Sequence, residues 1–178
     1  MQCPSCKTTR LLPTKLEARL PAMGCKTCEG ALLSLLYYRD WAEQGAVDEQ
    51  ATCSDDAAME EHDSKIALNC PKCSRVMTKY SLAGDVGNRI DLCGNCDEAW
   101  LDRGEWALLK SLSLMTSATS IFTENWQRKV RKEKQDASRV ARLRASVGSI
   151  DTEKAIEVKK WLDKAPHKAT IIHYLGSE

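Results

Sequence analysis

The chain has 178 residues, which is enough for one moderate domain or for two or three small ones. Its 26 basic and 25 acidic residues give a formal net charge of +1, although these charges are unevenly spread along the chain. No run of about 18 apolar residues occurs, so the composition excludes a membrane-spanning helix and we expect no membrane partner.

Nine cysteines would be compatible with a secreted disulfide scaffold, but their arrangement argues against it. Their number is odd, eight of the nine lie in Cys-x-x-Cys pairs, and no signal peptide precedes Cys3. We therefore expect a cytoplasmic protein whose cysteines bind metal.

Residues 1–45 contain the first of two matching sets of paired cysteines. Each pair places two sulfurs on one tight turn, and a hairpin between the pairs brings the two turns together around one Zn²⁺. The pattern also predicts a helix from about Leu35 to Gln44, and Pro21 predicts that its strand lies at an edge of the sheet. The expected ligands of this first zinc ribbon are Cys3, Cys6, Cys25 and Cys28.

Residues 46–67 form a predicted acidic linker. Eight acidic residues and no lysine or arginine occur between Glu43 and Asp63, and the segment has no apolar periodicity. Cys53 and His62 lie within it. Because each set of four cysteines is complete without them, we expect both residues to be exposed and unliganded.

Residues 68–116 contain the second set, which follows the first at an offset of 67 or 68 residues and therefore marks an internal repeat. Alternating apolar residues between Val76 and Leu92 predict a hairpin, with its turn at residues 84–88. The expected ligands of this second zinc ribbon are Cys70, Cys73, Cys93 and Cys96.

A helix is predicted after the second set of cysteines. Asp102 and Glu105 match a D-x-x-E capping box, so the helix should run from Arg103 to about Met115. Three apolar residues at this helix start are expected to pack beside the second metal site: Trp100, Leu101 and Trp106.

The segment 70–109 resembles the zinc-ribbon family named after transcription factor IIB, and residues 3–41 resemble it more weakly. Glu98 departs from the family pattern, which usually has glycine there, whereas the first copy keeps Gly30 at the matching position. The resemblance implies zinc binding more firmly than it implies transcription. The matching motifs are Cys70-Pro71-Lys72-Cys73, Cys93-Gly94-Asn95-Cys96 and Trp100-Leu101-Asp102-Arg103-Gly104-Glu105.

Residues 117–178 form a predicted basic, helical C-terminal region. An apolar stripe predicts a helix from about Thr123 to Val147, ended by Gly148, and a second helix follows Asp151. The last element, 167–175, is compatible with helix or strand, and we favour helix because Pro166 suits the first helical position.

The helix predicted over residues 123–147 carries a net charge of +5. The charged surface of such a helix usually faces solvent, but this helix is also the part of the chain best suited to contact phosphates. The candidate nucleic-acid contacts are Arg128, Lys129, Arg131, Lys132, Lys134, Arg139, Arg142 and Arg144.

The expected fold is therefore a small, metal-stabilised α+β protein with two tandem four-cysteine zinc ribbons and a helical C-terminal region. A zinc ion held by four thiolates has no open position, so both ions should be structural and the protein non-catalytic. The pattern favours a docking module for a protein or nucleoprotein partner. Two alternatives remain open: direct nucleic-acid binding through the basic helix, and a redox-sensitive thiol and zinc switch.

Overall fold

The computed structural model describes residues 1–44 and 65–177, which form a small α+β fold. A short 3₁₀ helix, Ala118–Phe122, is also present. In chain order the elements are β1 (Leu12–Glu17), β2 (Leu20–Gly24), β3 (Ala31–Ser34), α1 (Leu35–Glu43), β4 (Thr78–Ser81), β5 (Arg89–Cys93), β6 (Glu98–Leu101), α2 (Glu105–Ser111), α3 (Glu124–Lys164) and α4 (Lys168–Leu175).

Both cysteine repeats contribute to a single antiparallel sheet of six described strands, in the order β1-β2-β3-β6-β5-β4. The repeats join where β3 pairs with β6, and Leu32 lies opposite Trp100 at the centre of this pairing. Trp100 follows Leu32 by 68 residues, so each is the counterpart of the other in the repeat. The two repeats are therefore related by a pseudo-twofold axis that passes through this residue pair.

The centre of the sheet is buried on both faces, and side chains alternate between the two faces along β3 and β6. Leu33 and Leu101 point into a core that includes residues of α1, α2 and the 3₁₀ helix. Leu32 and Trp100 point to the opposite face, where they belong to a cluster that contains the cysteines. The sheet thus separates a helical core from the candidate metal sites.

Tryptophan side chains attach the helices to the sheet. The indole N–H of Trp41 donates to the Ala18 carbonyl (3.2 Å), and that of Trp106 donates to the Glu17 carboxylate (2.8 Å). The rings of Trp41 and Trp106 meet edge to face with centroids 6.0 Å apart. Each buried indole therefore keeps a hydrogen-bond partner, which avoids the cost of desolvating an unpaired N–H.

The prediction for Pro21 is wrong, and the structure contains a strand that the sequence pattern does not predict. Pro21 does not lie in an edge strand, because β2 pairs with β1 on one side and β3 on the other. Proline is tolerated because β3 pairs only with Met23 and Gly24, so β2 has a neighbour on one side only at Pro21. Strand β6 is not predicted by the sequence pattern, because its four residues directly precede a helix signal.

Helix α2 is shorter than predicted and is not capped by Asp102. The Asp102 carboxylate instead accepts a hydrogen bond from the Trp100 indole N–H (2.8 Å), and Gly104, at φ 82°, takes the N-cap position. Half of the predicted capping box does form, because the backbone N–H of Asp102 donates to Glu105 (2.9 Å). The helix ends at Ser111 rather than near Met115.

The chain divides into two compact units, Met1–Lys132 and Glu133–Glu178. In the second unit the predicted interruption at Gly148 is confirmed, since this residue has φ 82° and ψ 173° within α3. The prediction of a helix for the last element is confirmed as α4, but His167 rather than Pro166 immediately precedes its first residue.

Tyr38 allows a first test of this core. Its hydroxyl donates to the Met115 carbonyl (2.9 Å) and accepts from the Ala118 N–H (2.7 Å). Because Tyr38→Phe leaves both backbone groups without this partner, it should lower the free energy of unfolding by about 1–3 kcal/mol. Denaturant unfolding checks this, with Tyr37→Phe as the control, since Tyr37 is exposed.

The same residue predicts a pH dependence. Burial raises the pKa of Tyr38 above its ordinary value near 10. The unfolded chain therefore loses this proton at lower pH than the folded chain. The contribution of the Tyr38 hydroxyl to the free energy of unfolding is complete below about pH 10 and is lost as the pH rises through the pKa of the folded state. Denaturant unfolding at several alkaline pH values should show a smaller loss of stability in Tyr38→Phe than in the unsubstituted protein. Equal losses in the two proteins would contradict the raised pKa of Tyr38.

Candidate metal centres

All four Cys-x-x-Cys turns have the same local geometry. In each turn the residue after the second cysteine has a positive φ between 54° and 62°. Its backbone N–H donates to the carbonyl of the first cysteine at 2.8–3.0 Å. This conformation curls the chain so that both sulfurs of a pair point to one side. The four residues that adopt it are Lys7, Glu29, Ser74 and Asp97.

The sulfurs of the first set gather in a single group. Cys3 Sγ lies 3.4 Å from Cys28 Sγ, and Cys6 Sγ lies 3.6 Å from Cys25 Sγ. All four sulfurs lie within 4.8 Å of one another. These separations exclude disulfides, in which the sulfurs are about 2.05 Å apart. They fit a tetrahedral site, where Zn–S bonds of about 2.3 Å imply sulfurs about 3.8 Å apart.

The second set forms an equivalent group. Its four sulfurs also lie within 4.8 Å of one another, and Cys73 Sγ is 3.6 Å from Cys93 Sγ. The Asn95 side-chain amide donates to Cys96 Sγ at 3.6 Å. In both sets the first cysteine of each pair is buried and the second is partly exposed. Each set therefore has two inner and two outer sulfurs.

In the first cysteine pair of each set, the inner and outer sulfurs differ in their readiness to ionise. A hydrogen bond from the Thr8 backbone lowers the pKa of Cys6 to about 5, and one from the Arg75 backbone lowers the pKa of Cys73 to about 7. Burial has the opposite effect on the inner sulfurs of these two pairs, because it raises the pKa of Cys3 and raises that of Cys70 to about 12. A bound cation would offset the burial of these inner thiolates.

Glu98, which departs from the family pattern, lies beside the second group. Its carboxylate is 3% exposed and accepts a hydrogen bond at 2.6 Å from Lys72, which stands between Cys70 and Cys73. The hydrogen bond with Glu98 raises the pKa of Lys72. The ion pair thus ties the first cysteine turn of this group to β6. Sequence reasoning missed the pair, although a lysine within a cysteine turn and an acidic residue beside the apolar residues 99–101 were both visible.

Of the three residues predicted to pack beside the second metal site, the structure places only Trp100 in the cysteine cluster. Leu101 and Trp106 lie on the other face of the sheet, in the helical core, so that prediction is wrong for both. Cys53 and His62 lie outside the described residues. Within 1–44 and 65–177, the groups able to hold a metal consist of the eight predicted cysteines alone.

The basic residues predicted as nucleic-acid contacts lie on α3, and all are exposed except Lys134, which is partly buried. Some of them are already engaged within the protein. Arg131 pairs with Glu124 (2.5 Å), Arg139 pairs with Asp136 (3.6 Å), and Lys129 lies 5.7 Å from the Trp126 ring centroid. Exposed pairs of this kind are weak and remain open to competition by phosphates.

Comparison with protein-family models, with curated proteins and with solved structures found no match to this chain. Among the described helices, none is both long enough and apolar enough to cross a membrane. The chemistry of the sites therefore rests on the residues themselves.

Gly30 allows a direct test of the packing between the repeats. A Cβ at this position would lie 2.3 Å from Cζ2 of the buried Trp100 ring and 3.1 Å from the Leu101 carbonyl. Because neither group can move freely, Gly30→Ala should destabilise the fold by about 1–3 kcal/mol. Thermal unfolding of the metal-loaded protein measures this. Gly94→Ala is the matched control, since a Cβ there meets nothing within 4 Å, and equal effects would contradict the packing argument.

Proposed function

We propose that this protein is a non-catalytic docking protein whose sheet is stabilised by two structural zinc ions, in two zinc ribbons of the transcription factor IIB type. The observation that carries the proposal is the gathering of eight cysteines into two separate groups of four sulfurs. Four thiolates complete the coordination of zinc and leave no position for water or substrate. Sulfur-only ligands also favour zinc over magnesium or calcium, which prefer oxygen.

A docking role is supported by the exposed apolar side chains of the second unit. Within residues 133–177 only Thr152 is buried, whereas Trp161 is 56% and Tyr174 is 77% exposed. Other apolar residues of this unit are exposed as well, including Ile150, Val158 and Leu175. Exposed apolar helix surfaces are typical of segments that pack against a partner, so we propose a protein or a nucleoprotein as that partner.

Metal analysis of the purified, reduced protein tests the zinc sites. We expect two zinc ions per chain, and Cys93→Ser should lose the ion of the second group because three remaining thiolates no longer close the site. Inductively coupled plasma mass spectrometry with protein quantification measures the ratio. The matched control is Cys53→Ser, which removes the one cysteine outside both groups and should retain both ions.

Two outcomes would refute this assignment. Equal metal loss in Cys93→Ser and Cys53→Ser would show that the groups of four are not the binding sites. A metal-free protein with cysteines joined in disulfides would favour the alternative of thiol redox chemistry, in which these pairs cycle between thiols and a disulfide.

Nucleic-acid binding through α3 is a second candidate function. It is supported by exposed basic side chains such as Arg128 and Lys132, which lie on the stretch of α3 with net charge +5. Phosphate binding by such a surface weakens steeply with salt, because bound counterions are released.

We expect Arg128→Gln combined with Lys132→Gln to weaken duplex binding and to reduce the slope of log K against log salt by about 0.9 for each phosphate that is no longer neutralised. Fluorescence anisotropy at several salt concentrations measures both effects. The control combines Lys159→Gln with Lys160→Gln, which removes the same charge from α3 beyond Gly148. Equal weakening by both pairs, or no binding by the unsubstituted protein, would count against this candidate.

A further inference from the structure

The two candidate metal sites share one buried apolar cluster. The inner cysteine of every pair belongs to it, and each of these four residues is at most 4% exposed. Leu32 and Trp100, the pair on the pseudo-twofold axis, belong to the same cluster. The sites are therefore connected through packed side chains. The four inner residues are Cys3, Cys25, Cys70 and Cys93.

Trp100 of the second repeat packs against the backbone that holds the first site. Its ring lies directly over Gly30, where even a Cβ would be only 2.3 Å from it. The carbonyl of Gly30 accepts a hydrogen bond from the backbone N–H of Cys25 (2.9 Å). The position of the Cys25 turn thus depends on a side chain contributed by the other repeat.

The first repeat supports the second site in return. The N–H of Leu35, the first residue of α1, donates to the carbonyl of Asp97, which directly follows the ligand Cys96 (2.9 Å). Arg39 of α1 pairs with the Asp97 side chain (3.3 Å), and Arg103 of the second repeat pairs with Glu29, which follows Cys28 (3.2 Å). These two ion pairs are about half exposed to solvent, so they contribute little to the interaction free energy between the repeats. The backbone hydrogen bond and the Trp100 packing are the substantial links.

We propose that the two metal sites are thermodynamically coupled, so that filling either one raises the affinity of the other. The proposal rests on the proposed zinc binding and deepens it. Without metal in the first site, its two cysteine turns are no longer held together. Gly30 then no longer offers Trp100 a fixed packing surface, and β3 is less firmly held beside β6. By linkage, the effect on affinity must be the same in both directions.

Stepwise zinc addition to the reduced, metal-free chain tests the coupling without any substitution. Native mass spectrometry counts the chains that carry zero, one or two ions. Coupled sites predict mostly empty and doubly loaded chains at half saturation. Independent sites predict that singly loaded chains are the commonest species, and that result would overturn the coupling while leaving the proposed zinc sites intact. Chains that bind no metal would overturn both.

Variants locate the coupling. Cys3→Ser combined with Cys6→Ser disables the first site. The affinity of the second site for cobalt(II), followed by the absorption of its thiolate complex, should then be about 5- to 150-fold lower than in a chain whose first site is filled. An unchanged affinity would overturn the proposal.

Trp100→Leu tests the packing contact between the repeats. This variant, checked for folding by circular dichroism with metal bound, should show singly loaded chains as the commonest species at half saturation. Trp161→Leu is the matched control, since it changes an exposed tryptophan of the second unit, and it should leave the distribution unchanged.

Discussion

The pairing of β3 with β6 is the constraint on which the rest of the first unit depends. Each cysteine repeat by itself offers three short strands, and a domain of about 40 residues buries too little apolar surface to be stable alone. Pairing the two central edges produces one sheet of six strands whose central strands are covered on both faces. It also places Leu32 opposite Trp100, so that the second repeat completes the surroundings of the first site.

The cysteine turns carry a local conformational cost that a bound metal would offset. Four residues with side chains, rather than glycines, occupy the left-handed region of φ after the second cysteine of each pair. Each such residue costs roughly 1–2 kcal/mol. Apparent zinc-binding free energies in small finger peptides are about 10–16 kcal/mol, which exceeds the combined cost of the four turns. Strain of this kind, repeated at four equivalent positions, is typical of sites whose geometry serves a ligand.

The two repeats differ most where they meet, and the differences have physical causes. Gly30 in the first repeat leaves room for Trp100, and its counterpart in the second repeat is Glu98. Leu32 is the smaller counterpart of Trp100, so the second repeat has space for a longer residue at that position. Glu98 is buried there together with the ion pair that it makes with Lys72. One side of the pseudo-twofold axis is therefore filled by an aromatic ring and the other by a salt bridge.

The sequence alone predicts the two groups of cysteines, helix α1 to within a residue and the break at Gly148, because spacing and local backbone preference control each of them. It did not reveal β6, the interior position of β2 or the place of Trp106 in the helical core. These features depend on which strand lies beside which, and strand neighbours are decided by packing between distant segments. Only the tertiary structure could show that Glu98–Leu101 pairs with Ala31–Ser34, since each strand pairs on one side within its own repeat and its other edge is paired only when the two repeats meet.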